Sequence, residues 1–431
     1  MILKKLFGFD PGVMKVKTEI MAGVTTFLTM SYILAVNPDI LSAASMDKGA
    51  VFTATALAAS IATLVMAIMA KLPFALAPGM GLNAFFAFTL VQGMGFSWEA
   101  ALAAVFIEGV VFILLTVFNV RELIVNAIPE TLRHAISVGI GLFIAFLGLQ
   151  KAGLIVADPA TFVSLGEFTP STLLAVGGIV IGGVLVARKV RGALFYAILI
   201  VTVLSIPLGV TRIPENFSFV SLPHSLEPVF FKLDFHSLLS VNMLVALFSL
   251  VFMDIFDTLG TLVGTANKVG MVKPDGSIPK LKPAMMADAI GTTVGALLGT
   301  STTTTYAEST AGIAEGGRSG LTAAVVCVLF LVALFFSPFF LLVPGVATAG
   351  VLVIVGSFMF DAVVKIRFSD FTEAFPAFVT IIMMPLTYSI AEGIVLGLLA
   401  YVSLKLFTGK HRELNLTMYI LAILCILKYV I

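Results

Sequence analysis

Residues 77–88 read Ala77-Pro78-Gly79-Met80-Gly81-Leu82-Asn83-Ala84-Phe85-Phe86-Ala87-Phe88. Pro78 removes a backbone donor, and Gly79 and Gly81 permit geometry that no helix interior favours. The stretch is as apolar as a membrane span, yet too interrupted to be an ordinary helix. In lipid, backbone that leaves the helical ladder is tolerated only where it lines a cavity or is buried in protein. A second stretch, 300–312, has the same character: Thr300-Ser301-Thr302-Thr303-Thr304-Thr305-Tyr306-Ala307-Glu308-Ser309-Thr310-Ala311-Gly312. Its run of β-branched threonines favours extended structure, so a short strand leading into a half-helix is expected there.

The rest of the chain agrees with a membrane setting. Hydrophobic residues are 59% of the 431 and charged residues only 11%, against about a quarter charged in soluble domains. Such a chain cannot cover a surface facing water. Its apolar runs are continuous rather than alternating, so helices are expected and not a barrel. The net charge of +1 gives no argument for nucleic acid, and Cys327 and Cys425, each within an apolar stretch, suggest neither a disulfide framework nor a metal site. Nothing calls for a cofactor.

Apolar runs of span length fall near 18–37, 51–70, 99–119, 131–149, 172–187, 193–209, 241–264, 284–299, 320–337, 346–362, 373–389 and 391–407. With the broken segments at 74–92 and 300–314 this makes fourteen crossings; a last apolar stretch, 414–431, reads equally as a further span or an interfacial helix. With the N-terminus inside, twenty lysines and arginines fall on the cytoplasmic side, and only Lys48, Lys151, Arg212 and Lys232 outside. Residues 1–17 carry four lysines and lack a small-residue cleavage site, so they read as a cytoplasmic lead-in.

A repeat is also visible. Ile128-Pro129 precedes a run containing Gly139, Gly141 and Gly148, and Val343-Pro344 precedes one containing Gly345, Gly350 and Gly356. The prolines lie 215 residues apart, half the chain. Seven segments per half force the second copy into inverted topology, and broken helices in matching positions point at a transporter's binding site. The expected domains are a first repeat at 18–209, an extracytoplasmic loop at 210–240, a second repeat at 241–407 and a hydrophobic tail at 408–431.

Few polar residues stand inside the spans. Glu308 would begin a half-helix, where a carboxylate complements the dipole but where an acid at membrane depth is by default functional. Asp254 and Asp257 share one helix face, followed by Thr258 and Thr261, with Asp257 the stronger functional candidate. Acids in such a place need water, a partner or a proton, and one that titrates near neutral pH can carry a coupling proton. Glu108, mid-span, reads as a helix–helix hydrogen-bonding group or a third proton carrier. Asn83 offers one donor and one acceptor, the pair that matches an adenine edge; Phe85, Phe86 and Phe88 offer flat faces for a base or for packing. Asp288 is expected in the first turn of its span, complementing the dipole. The residues 273–276 read as a turn.

These motifs resemble the azaguanine-resistance-type purine permeases, relatives of the nucleobase–ascorbate (xanthine/uracil) transporters. The likeness runs through Phe7-Gly8-Phe9, 25–38, 78–88, 254–267 and 306–317. It implies fourteen segments in a seven-plus-seven inverted repeat, with segments 1–4 and 8–11 as a core, 5–7 and 12–14 as a gate, and a short strand in each broken segment, the two meeting near mid-membrane. By the same resemblance Glu308, after Tyr306 and Ala307, is the substrate-binding acid of segment ten, Asp257 that of segment eight, and Asn83 a functional asparagine. Asp257 stands where uracil permeases have glutamate and Thr261 where they have histidine, which argues for the purine branch. The expectation is a proton-coupled symporter of adenine, guanine or hypoxanthine in the cytoplasmic membrane. Glu308, Asp257, Asn83, Tyr306, Phe85 and Thr261 would be at the substrate, and Asp257, Glu308 or Glu108 on the proton path. An inorganic-anion carrier or a xanthine/uracil carrier of the same architecture is the alternative, and homodimerisation is left open.

Overall fold

A computed structural model describes residues 2–118, 129–214, 217–268 and 280–430. Ile128, Arg121, the turn at 273–276 and the side chain of Asn267 lie outside them. Among the described residues, eight helices are long and apolar enough to cross a membrane, and four shorter apolar helices accompany them. Each expected segment has its counterpart, from Val16–Ser42 to Ile390–Phe407. The final stretch is a helix too, Leu416–Val430, packed on Ile390–Phe407.

Both broken segments hold a strand. β1, Leu76–Pro78, runs into the half-helix Met80–Ala84, which continues as the wider-wound stretch Phe85–Gly93. Within the first half, between Glu130–Lys151 and Pro170–Ala187, lie β2, Ile155–Asp158, and β3, Phe162–Leu165, an antiparallel hairpin that the apolar pattern did not reveal. β4, Thr303–Thr305, leads to the half-helix Ser309–Ala314. β1 and β4 pair antiparallel, with Leu76 opposite Thr305, Ala77 opposite Thr304 and Pro78 opposite Thr303. Each strand thus satisfies the backbone that the other leaves open, which is what membrane depth demands.

Helix packing separates two bodies. In the core, Val16–Met30 and Lys48–Val65 pack with Gly320–Ala333, and Leu281–Leu298 packs on Lys48–Val65 and Trp98–Val117. In the gate, Glu130–Lys151 packs on Gly345–Phe360 and Phe371–Leu386, and Pro170–Ala187 and Ala193–Ser205 complete it with Ile390–Phe407. The two glycine runs of the repeat meet face to face there. A Cβ on Gly141 would stand 2.6 Å from the Gly356 carbonyl oxygen, and one on Gly356 2.3 Å from that of Gly141. Only two bare backbones can approach so closely.

Candidate functional site

The strand pair ends where both half-helices begin, and the candidate residues gather around it. The segment 300–306 ties the core together, one polar group per neighbour. Thr300 Oγ1 accepts from Asn37 Nδ2 at 2.9 Å. Ser301 Oγ donates to Asn83 Oδ1 at 2.5 Å, and Thr302 Oγ1 to Glu108 Oε2 at 2.6 Å. The Thr303 carbonyl accepts from Thr292 at 3.0 Å, and the Thr304 hydroxyl meets that of Thr258 at 3.2 Å. Tyr306 donates to the Pro78 carbonyl at 2.6 Å. A strand rich in hydroxyls is thus also a chain of donors and acceptors, each fixing a different helix, and buried polar groups need such partners.

This network sorts the candidates. Asn83, Phe85 and Glu108 are fully buried, and Tyr306 nearly so. They sit behind the strand pair, not on open space. Glu108 bridges two segments by its bond to Thr302, with its second oxygen left without a hydrogen-bond partner. Asp257, Thr261 and Glu308 are only half-buried. Asp257 reaches the first half-helix: a Cβ on Gly79 would lie 3.5 Å from its Oδ2 and 2.6 Å from the Thr304 methyl. Gly79 therefore keeps open the approach of acid, strand and half-helix. Glu308 makes no cap bond to its own helix. Its Oε1 accepts from the Tyr32 hydroxyl at 2.6 Å instead. The two acids thus stand at the starts of the two half-helices.

Asp288 differs from expectation. Its helix starts at Leu281, two turns earlier, so Asp288 is fully buried rather than in a first turn. Its Oδ2 accepts from Thr258 Oγ1 at 2.7 Å, and Asp254 Oδ1 accepts from the same hydroxyl at 3.2 Å. Tyr32 was missed in the sequence. It lies in segment one, 276 positions from its partner, and nothing local distinguishes it from a packing tyrosine.

A cavity of about 310 Å³ opens at the seam between core and gate. Met80, Ala84 and Phe88 line it from the half-helix, with Asp39 from the core and Ile144, Gln150, Lys151 and Tyr388 from the gate. Phe88, not Phe85, is the ring on that face, meeting Tyr388 edge to face with centroids 5.9 Å apart.

The Permease family model matches residues 17–396. The chain belongs to this family. The permease is 43% identical over 431 residues to an adenine permease of Escherichia coli K12, covering all of this chain and 96% of that one. It is also 43% identical over 440 residues to a guanine/hypoxanthine permease of Bacillus subtilis 168, covering 99% of each. Among solved structures, the transmembrane domain of a cyanobacterial bicarbonate transporter superposes with a TM-score of 0.66 at 19% identity, covering 87% of this chain and 97% of that one. That likeness is one of fold, the seven-plus-seven inverted repeat. The permease is a multi-pass membrane transporter and not an enzyme.

Proposed function

We propose that this permease imports purine nucleobases across the cytoplasmic membrane in symport with protons, its N-terminus inside. The observation that carries the reading is the pair of half-buried acids, Asp257 and Glu308, at the starts of half-helices that β1 and β4 hold together. A purine edge carries donors that a carboxylate accepts, and acids in a dry site can take up and release a proton. Similarity across the full chain to relatives named as adenine and guanine/hypoxanthine permeases supports the substrate class. In this reading Glu308 and Asp257 contact the base and one of them carries the proton. Thr261 borders them, while Tyr306, Asn83, Glu108 and Phe85 shape the strand pair from behind. Both acids come from the second repeat, 241–407, and the first, 18–209, supplies Tyr32, Pro78 and Gly79.

The half-helix starts would also suit an anion, but two acids beside them oppose that reading. Uptake of radiolabelled adenine, guanine, hypoxanthine, uracil and bicarbonate by cells lacking their own permeases tests the choice, with and without a protonophore. Purine uptake that collapses with the proton gradient is expected. Purine uptake that persists without the gradient would refute proton coupling, and bicarbonate uptake alone would refute the substrate class.

A further inference from the structure

The seam cavity holds four polar side chains, Asp39, Gln150, Lys151 and Tyr388; the remainder of its lining is apolar. Three of the four are committed. Asp39 and Lys151 pair with one another, and Asp39 also accepts from Thr348 at 2.7 Å. The Tyr388 hydroxyl donates to Gln150 Oε1 at 3.0 Å. In this arrangement the amide's acceptor is used, and its donor Nε2 is left without a protein hydrogen bond among the described residues. Phe143 and Phe146 pack their edges on the Tyr388 ring, with centroids 5.6 and 6.3 Å away, and hold it in place. The cavity thus offers flat rings, apolar walls and one oriented N–H donor. Its volume falls at the low end of small-ligand sites, about 300–1,000 Å³.

We infer that this cavity is a second nucleobase subsite on the outer approach to the strand pair, and that Gln150 makes it selective for oxopurines. The inference rests on the purine reading above. A 6-oxo group presents an acceptor to Gln150 Nε2, whereas the 6-amino group of adenine presents a donor to a donor. Gln150 is exposed at the cavity rim, so the unmatched pair costs adenine about the net worth of one hydrogen bond, about 0.5–1.5 kcal/mol or up to about ten-fold. Tyr388 is a positioning residue, acting through the amide it orients.

The test is the kinetics of hypoxanthine and adenine uptake by the full-length protein, with surface levels measured by immunoblot. Gln150→Glu keeps an acceptor for Tyr388 and removes the donor. It is expected to raise the KM for hypoxanthine about ten-fold at unchanged maximal rate, while leaving the adenine KM the same or lower. Gln150→Met, which carries no charge, is expected to raise the hypoxanthine KM alone. Tyr388→Phe keeps the ring but releases the amide, so the hypoxanthine-to-adenine preference should fall severalfold. Equal changes for both bases, or none, would overturn the subsite and leave the purine reading intact. No uptake of any purine by the wild type would overturn both.

Discussion

Asp39 closes the seam between core and gate, so its replacement by asparagine should loosen that seam. The side chain sits in segment one of the core, with 12% exposure, and holds Lys48 of the core at 3.3 Å. From the gate it holds Lys151 and the Thr348 hydroxyl. Asp39→Asn preserves size but leaves two ammonium groups facing one another without a counter-charge. Exposed ion pairs are worth about 0.2–1 kcal/mol, and breaking a buried one costs about 3–5 kcal/mol. With Lys151 at 28% and Lys48 at 35% exposure, this cluster lies between those limits. A value of about 1.5–3 kcal/mol corresponds to a shift of roughly 10- to 150-fold in the balance between closed and open seam, at about 1.4 kcal/mol per decade. The assay is maleimide labelling of a cysteine placed at Ala84, which is buried and lines the same cavity. The native Cys327 and Cys425 are both buried and contribute little background. A membrane-impermeant reagent applied to whole cells should label the double variant at least about ten-fold faster than Ala84→Cys alone. Adding Lys151→Asp to Asp39→Lys should restore slow labelling. Unchanged labelling in a correctly inserted Asp39→Asn protein would refute the reasoning, because the charges would then hold nothing across the seam.

Glu308→Gln should abolish purine uptake without reducing the amount of protein in the membrane. Tyr32→Phe, which deletes one hydrogen bond to that carboxylate, should lower uptake efficiency by about ten-fold or more, since such bonds are worth about 1.5–3 kcal/mol. Gly356→Val would drive a side chain into the Gly141 backbone; a cost of about 1–3 kcal/mol or more should appear as a lower melting temperature in detergent, and Gly177→Ala, which meets open space, should leave it unchanged. In the loop before Phe371–Leu386, Lys410 and the hydroxyl and N–H of Thr372 hold the Asp370 carboxyl well below the usual carboxylate range. A depressed folded value means the group stabilises fully above its unfolded pKa of about 3.9 and loses that contribution as pH falls through the folded value. The melting-temperature advantage of wild type over Asp370→Asn should therefore be constant from pH 8 to about pH 5 and shrink only in stronger acid; an advantage that fades between pH 7 and 6 would contradict this.

The segments were legible because their signals are local. Apolar runs fixed the spans, and Pro78, Gly79 and the threonines of 300–305 marked where helix gives way to strand. What could not be read was pairing at a distance. Asn37, Asn83, Glu108 and Thr292 look alike in sequence, as polar residues in apolar runs, and only the fold shows that 300–304 serves them all. Which phenylalanine faces the seam was partly legible. Met80, Ala84 and Phe88 recur every four residues and share a helix face, whereas Phe85, one position past Ala84, turns into the core. The hairpin at 155–165 escaped because its strands are exposed and short, without the apolar alternation that marks a half-buried strand.

The pairing of β1 with β4 bears on how the protein is made. Residues 76–78 leave the ribosome well over two hundred positions before 303–305. At about 5–20 residues per second, the first broken segment resides in the translocon or the bilayer for on the order of tens of seconds with its backbone unmatched. During that interval something else must satisfy it: water in a lateral opening, an insertion chaperone, or a temporary helical form that later unwinds. Synthesis of the first half alone should thus yield a substrate for membrane proteases. Supplying the second half as a separate polypeptide should rescue it.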